Sequence, residues 1–235
     1  MEERFTVKTK SITLLLAIAL AWMPGIASAF MTSAENSLRP GQTLNFGQYE
    51  QDNNKSNGEE EIEWRVLESD ANYALLISVK GLDCKTYNSS EGYVTWEECS
   101  LRQWLNNDFY YRAFDAAEQD AIRSVRLINE DDLEYGIEGG SDTRDRVFLL
   151  SISEIQRYLP FEQERRIEST EYATGQGAYS ENGYTIWWLR SPGNGANDPS
   201  YVYVTGEIQA DGGLMDGGPA TVRPVIFVDL AKGVF

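Results

Sequence analysis

Alternating apolar and polar positions mark the start of the folded part of the chain. In Thr43-Leu44-Asn45-Phe46-Gly47-Gln48-Tyr49, Leu44 and Phe46 alternate with polar neighbours, and Ile62-Glu63-Trp64-Arg65-Val66-Leu67 keeps the same period of two. That period puts successive side chains on opposite faces of a half-buried strand. Ser69-Asp70-Ala71-Asn72 is turn chemistry and 73–79 returns as an apolar strand, so a β-hairpin is predicted. The acidic run 51–61 reads as a surface loop.

The pattern then turns helical. Ser100 is placed to cap a helix with Leu101, Trp104 and Leu105 on one face, ended by Asn106-Asn107-Asp108. Asp115-Ala116-Ala117-Glu118 is a capping box opening a second helix, with Ala121, Ile122 and Val125 inward. Residues 127–143 are acidic and glycine-bearing, an exposed loop. A short buried strand at 147–150 feeds a second capping box, Ser151-Ile152-Ser153-Glu154, whose helix stops at Pro160. From Thr185 the pattern is β again, with strands expected at 185–190, 201–205, 207–209 and 221–229. Strands and helices are segregated rather than alternating, which predicts an α+β fold with an antiparallel sheet and two to three helices.

Two of these segments frame the rest. Trp187-Trp188-Leu189-Arg190-Ser191-Pro192-Gly193 is bulky and stops at Pro-Gly, and Val222-Arg223-Pro224-Val225-Ile226 answers it near the C-terminus. Between them runs a polar excursion dense in Gly, Asn, Asp and Tyr, the kind of loop that a rigid scaffold presents to a ligand. Asn194, Asn197, Asp198, Tyr201, Tyr203, Glu207, Asp211 and Asp216 are its candidate ligand-binding residues, because carboxylates and amides bind hydroxyl groups and Tyr adds a rigid surface. The same residue types also serve turns for backbone reasons alone. Trp104, Trp187, Trp188, Arg190 and Arg223 read as structural: large core aromatics, and arginines that pair with carboxylates.

Charge and composition narrow the chemistry. Residues 1–29 have the form of a secretory signal peptide, with Lys8 and Lys10 before an apolar run and Ala27-Ser28-Ala29 as the cleavage site. Residues 30–40 follow as a tether and 41–235 as one domain, in a secreted or cell-surface protein with no membrane insertion after cleavage. Without Glu2, Glu3, Arg4, Lys8 and Lys10, 17 basic residues face 35 acidic ones, a net charge of −18. Such a chain is repelled by nucleic acid and by anionic lipid. The sequence has no histidine, which removes the usual general base and most zinc sites. Carboxylate chemistry and calcium stay open, although 211–216 lacks the ligand spacing of an EF-hand. The two cysteines, Cys84 and Cys99, are expected to form one disulfide worth about 3 kcal/mol for a loop of about 15 residues, with free thiols as the alternative.

The run from Thr95 to Tyr110 (TWEECSLRQWLNNDFY), Val147-Phe148-Leu149-Leu150-Ser151, Trp187-Trp188-Leu189-Arg190-Ser191-Pro192-Gly193 and Val222-Arg223-Pro224 together resemble a bacterial domain of unknown function found in surface and secreted proteins of gut-type Firmicutes. The closing Leu-Arg-Ser-Pro and Val-Arg-Pro segments are also similar to the end of the C-type-lectin-like fold of formylglycine-generating enzymes. That second resemblance implies a twisted antiparallel sheet with a loop-rich ligand face, on which the excursion would lie. It does not carry that family's chemistry, because no cysteine follows Cys99. The expected function is a non-enzymatic binding module for a glycan or protein ligand, without a cofactor. The alternatives are a carboxylate-based glycan-acting enzyme and a structural surface domain.

Overall fold

The structure, a computed structural model, describes residues 38–90, 92, 94–195, 198–214 and 219–235. The signal-peptide reading and residues 30–37 of the tether lie outside them. Tether residue Leu38 packs on the core, and its carbonyl accepts a hydrogen bond from Ser69 Oγ. Among the described residues no helix is long and apolar enough to cross a membrane.

The alternating segments form the expected strands: β1 (Thr43–Tyr49), β2 (Glu60–Ser69) and β3 (Tyr73–Ser78). Short strands β4 (Asp83–Lys85), β5 (Val125–Leu127), β6 (Thr143–Asp145) and β7 (Val147–Phe148) follow. The C-terminal part holds β8 (Ser180–Glu181), β9 (Tyr184–Thr185), β10 (Trp187–Pro192), β11 (Pro199–Val202), β12 (Ile208–Gln209), β13 (Ala220–Val222) and β14 (Val225–Asp229).

The α+β class stands, but the single antiparallel sheet expected from the sequence becomes two five-stranded sheets. One has the order β1-β2-β3-β14-β7 and is antiparallel throughout; the other, β12-β11-β10-β13-β4, contains one parallel pair, β10 with β13. The strand expected at 221–229 is therefore two strands, one in each sheet. Arg223-Pro224 makes the break, since proline cannot donate to a ladder. The Pro224 carbonyl still accepts from Ser78 N, and Arg223 Nε donates to Ser78 O, so both halves stay fastened to β3. The buried Arg223 guanidinium lies over Trp187, 4.8 Å from the ring centroid. One apolar core joins the sheets, with Trp64, Leu76 and Ile226 from the first and Trp187, Val202 and Val222 from the second.

The helices depart from expectation in an instructive way. Asn106-Asn107-Asp108 does not end the first helix. Ser100–Trp104 continues through a widened π-type turn, Leu105–Phe109, into Tyr110–Ala113. The amides that would break a helix instead satisfy it: Asn106 Nδ2 donates to Arg102 O and Val147 O, and Asn107 Nδ2 donates to Gln103 O. Asn106 Oδ1 accepts from Arg146 N and Val147 N, so this one side chain pins β7 to the helix. Both capping boxes are present, on the helices Ala116–Ala121 and Ile152–Tyr158. Val125 belongs to β5, because the helix stops at Ala121. Two further short helices, Glu162–Arg165 and Glu171–Gly175, exceed the two or three expected.

The expected disulfide is absent: Cys84 and Cys99 are both free and buried. Their surroundings explain it. Cys84 packs with Ala173 and Ala178, whereas Cys99 lies in the main core. Cys99, and not Ser100, caps the first helix, its Sγ accepting from Arg102 N. Burial pushes the Cys84 thiol up to about 11 and the Cys99 thiol up to about 12. Neither is a thiolate at neutral pH, and the thiolate is the reactive form. Iodoacetamide at pH 8 should therefore label neither cysteine in the native protein and both in denaturant, with no prior reduction needed. Labelling that requires a reductant would contradict the free-thiol state.

Candidate functional site

The sequence motifs converge on a clasp. Arg190, on β10, is almost fully buried, with 3% of its side chain exposed. Its Nη1 donates to Leu149 O and to Glu154 Oε2, and its Nη2 donates to Glu154 Oε1 (2.8 Å) and Ile128 O (3.3 Å). Glu154 at the same time accepts from Ser151 N as the return half of the capping box. Ser191 Oγ accepts from Ile152 N. Thus Arg190 and Ser191 fix the first turn of the helix Ile152–Tyr158 and the start of the 128–141 loop against the end of β10. A bidentate arginine–carboxylate pair sets orientation as well as energy.

A second buried anchor holds the far side of that loop. Asp145, fully buried, accepts from Trp96 Nε1, Arg102 Nε and Thr143 Oγ1 at 3.0, 2.6 and 2.8 Å. The β5–β6 pairing that brackets the loop is thereby locked to the first helix. Within the loop, Asp132 Oδ1 accepts from Glu134 N and Tyr135 N, and Asp131 Oδ1 accepts from Gly139 N.

Between this loop and the end of β10 lies a groove of about 530 Å³, lined by Glu130, Asp131, Asp132, Leu133, Glu134, Ile152, Ser153, Gln156, Ser191, Pro192 and Ala210. Its size is that of a small-molecule site, although its lining is more acidic than usual. Leu133 is 90% exposed and Tyr135 42% exposed, large apolar surface held in water by an otherwise polar loop. Of the other hollows, one is a void of about 10 Å³, too small for a ligand. Another, of about 460 Å³ by β1, is lined by groups that largely satisfy one another, including Arg112 with Glu59 and Asn45 with Glu61.

The excursion borders the groove through Ala210. Its base is pinched: Asn194 N donates to Asp211 O, and a Cβ on Gly193 would fall 2.0 Å from Asp198 O. Gly212, at φ +73°, is confined by the same carbonyl. Only glycine fits either position. Tyr201 pairs with Trp188 and Gln209 across β11, and its ring meets Trp188 edge-on at 6.4 Å. Burial raises the Tyr201 phenol, and Asp211 and Tyr203 push it further in the same direction. Tyr135 is raised first by Glu134, and Asp211 adds to it. Asp211 is thus within electrostatic range of both Tyr135 of the loop and Tyr201 of the excursion. Tyr203 reaches towards Glu181 at 3.4 Å, beside Tyr179, and Glu207 is exposed at the β11–β12 turn.

Asp211 and Tyr203 are thus both within electrostatic range of Tyr201, and Asn194 and Asp198 lie in the pinch. Asn197 and Asp216 lie outside the described residues. Trp187 donates to Arg165 O and Trp188 to Lys85 O; Trp104 meets Phe109 at 5.5 Å and carries Lys85 over its ring. The 130–135 segment, Ser153 and Gln156 were not among the sequence candidates. The signal available for them was Leu133 and Tyr135, apolar residues with no period in an acidic loop.

Comparison with known proteins gives a family. The model of the family described as Domain of unknown function (DUF6273) matches residues 71–230, and the chain belongs to that family. No curated protein and no solved structure matches the chain. The matched span runs from the turn before β3 to the end of β14, so it contains the clasp, the Asp145 anchor and the groove.

The clasp makes a quantitative claim. Glu154→Gln leaves the buried Arg190 without its counter-charge and should cost about 2–3 kcal/mol in denaturant unfolding. Breaking the exposed Arg126–Asp142 pair with Asp142→Asn should cost less than about 1 kcal/mol.

Proposed function

We propose that this domain is a non-enzymatic binding module, exported to the cell surface or medium, whose ligand is a neutral glycan. The observation that carries the reading is the acidic groove of about 530 Å³, which the excursion borders at Ala210, next in the chain to Asp211, while Tyr135 follows the lining residues 130–134 directly. Carboxylates and the Ser and Gln side chains of the lining accept and donate hydrogen bonds to sugar hydroxyls. Tyrosines supply flat contact area with only two side-chain torsions to freeze. Rigid walls help, because a preformed site loses less entropy on binding. The clasp at Arg190 and the pinch at Gly193 and Gly212 hold two of those walls. The same reading takes the lectin-like arrangement as its fold: a sheet framework with ligand contacts on the loop-rich side. The form of residues 1–29 supports export.

A glycan array probed with the purified protein tests this. Binding to neutral glycans is expected, weakened at least about tenfold in the triple variant Tyr135→Ala, Tyr201→Ala, Asp211→Ala. Binding that the variant retains would move the site off this face. A blank array would contradict the glycan reading.

A further inference from the structure

Trp104, read from the sequence as a core aromatic, keeps one polar group in the open. Trp64, Trp96, Trp187 and Trp188 are buried, and each indole N–H donates to a protein acceptor: Phe46 O, Asp145 Oδ2, Arg165 O and Lys85 O. Trp104 is only partly buried, and its Nε1 has no acceptor among the described residues and is not an enclosed atom. A Trp N–H usually finds a partner where the ring packs away from water. Here the ring packs against Phe109 and carries the Lys85 ammonium 4.4 Å from its centroid. The side chain is held while its donor stays free.

Trp104 lines a hollow of about 270 Å³ with Lys85, Thr86, Ser100 and Leu101. That is just under the size of a drug-sized site and suits a single sugar ring. No carboxylate lines it, in contrast to the groove at residues 130–134. Its free polar groups donate. Ser100 Oγ accepts from Ser89 N, which leaves its own hydrogen to give, and Thr86 is exposed. The backbone at the start of the adjoining helix is already used: Ser100 N donates to Asn88 Oδ1, Leu101 N to Tyr87 O and Arg102 N to Cys99 Sγ. Recognition therefore falls to side chains.

Lys85 is a placed cation. Its carbonyl accepts from Trp188 Nε1, and its ammonium lies 3.3 Å from Asp83, a buried carboxylate that also accepts from Tyr49 OH and Cys84 N. This pairing decides the charge of the ligand. Asp83 offsets Lys85, so an anion finds little surplus attraction, and the strongly acidic chain repels it. A cation meets the Lys85 ammonium directly. A neutral group rich in acceptor oxygens gains from the donors without either cost.

We propose that Lys85, Thr86, Ser100 and Trp104 form a second sugar site, which takes an uncharged sugar residue through its ring and hydroxyl oxygens. The ligand class rests on the glycan reading above; the residues are separate from the groove. The groove offers mainly acceptors and this hollow mainly donors. Two sites on one domain raise the avidity for a glycan that can engage both.

The test is a titration of isotope-labelled protein with the methyl glycosides of glucose, galactose, mannose and N-acetylglucosamine, each up to about 50 mM, followed by the indole N–H resonances. Trp104→Phe identifies the Trp104 resonance by its loss. At least one sugar should shift that resonance and leave those of Trp64, Trp96, Trp187 and Trp188 in place. Ser100→Ala and Thr86→Val should each weaken the titration about threefold or more, and Lys85→Met about tenfold. If Lys85→Met fails to fold because Asp83 loses its partner, the two hydroxyl variants still give the readout. The groove variant Tyr135→Ala, Tyr201→Ala, Asp211→Ala should keep the Trp104 shift, so a blank array with the shift intact sinks the groove and upholds this site. No Trp104 shift with any of the four sugars overturns this site, whatever the array shows. A shift unchanged in the Lys85, Thr86 and Ser100 variants overturns it too. So does a tighter response to glucuronate than to glucose, which would make the ligand an anion.

Discussion

The ion pair between the buried Arg190 and the partly exposed Glu154 is the constraint on which the groove depends. Arg190 contributes four donated bonds to three separate parts of the chain: the end of the β7 segment, the capped helix at 152 and the loop beginning at Ile128. A buried guanidinium is costly unless its donors are used and its charge is met, so these segments are held where they can do both. The groove is the space left between them. Arg223 shows the contrast. It is equally buried but has no carboxylate partner among the described residues; each guanidinium keeps one unbonded nitrogen, Nε in Arg190 and Nη1 in Arg223, but Arg223's charge rests on the Trp187 ring and one carbonyl. Burial, with Arg65 adding to it, lowers its pKa. It shapes the junction between the sheets and borders none of the hollows described.

Local rules revealed much of the fold. The period-two strands at 43–49 and 60–69, the turn at 69–72 and both capping boxes follow from nearest-neighbour chemistry, and the sequence carries it openly. What failed was long-range. Asn106 and Asn107 look like helix breakers until their amides find Arg102 O, Val147 O and Gln103 O. The 221–229 run looks like one strand until its two halves pair with different sheets. The cysteines, 15 positions apart, invite a bridge until each is seen packed into its own cluster. Pattern reports what one segment prefers, and none of these outcomes is a property of one segment.

The site divides the same way. Tyr201, Tyr203 and Asp211 could be picked out because they stand in a polar excursion between two apolar strands. The loop residues beside the groove could not. Leu133 and Tyr135 come from a loop some seventy residues earlier, brought there by the Arg190 clasp and by Asp145 held between Trp96, Arg102 and Thr143. The motifs that carry the family resemblance thus supply contacts that hold the walls and, through Ser191 and Pro192, part of the lining, while Leu133 and Tyr135 belong to no motif.

Hydrogen–deuterium exchange on the wild type and on Glu154→Gln tests that dependence most directly. The account predicts faster exchange confined to 128–141, 149–154 and 189–195, with β1, β2 and β3 as protected as before. Exchange that stays unchanged around the groove, or that rises equally throughout the domain, would show that the Arg190–Glu154 pair does not organise this face.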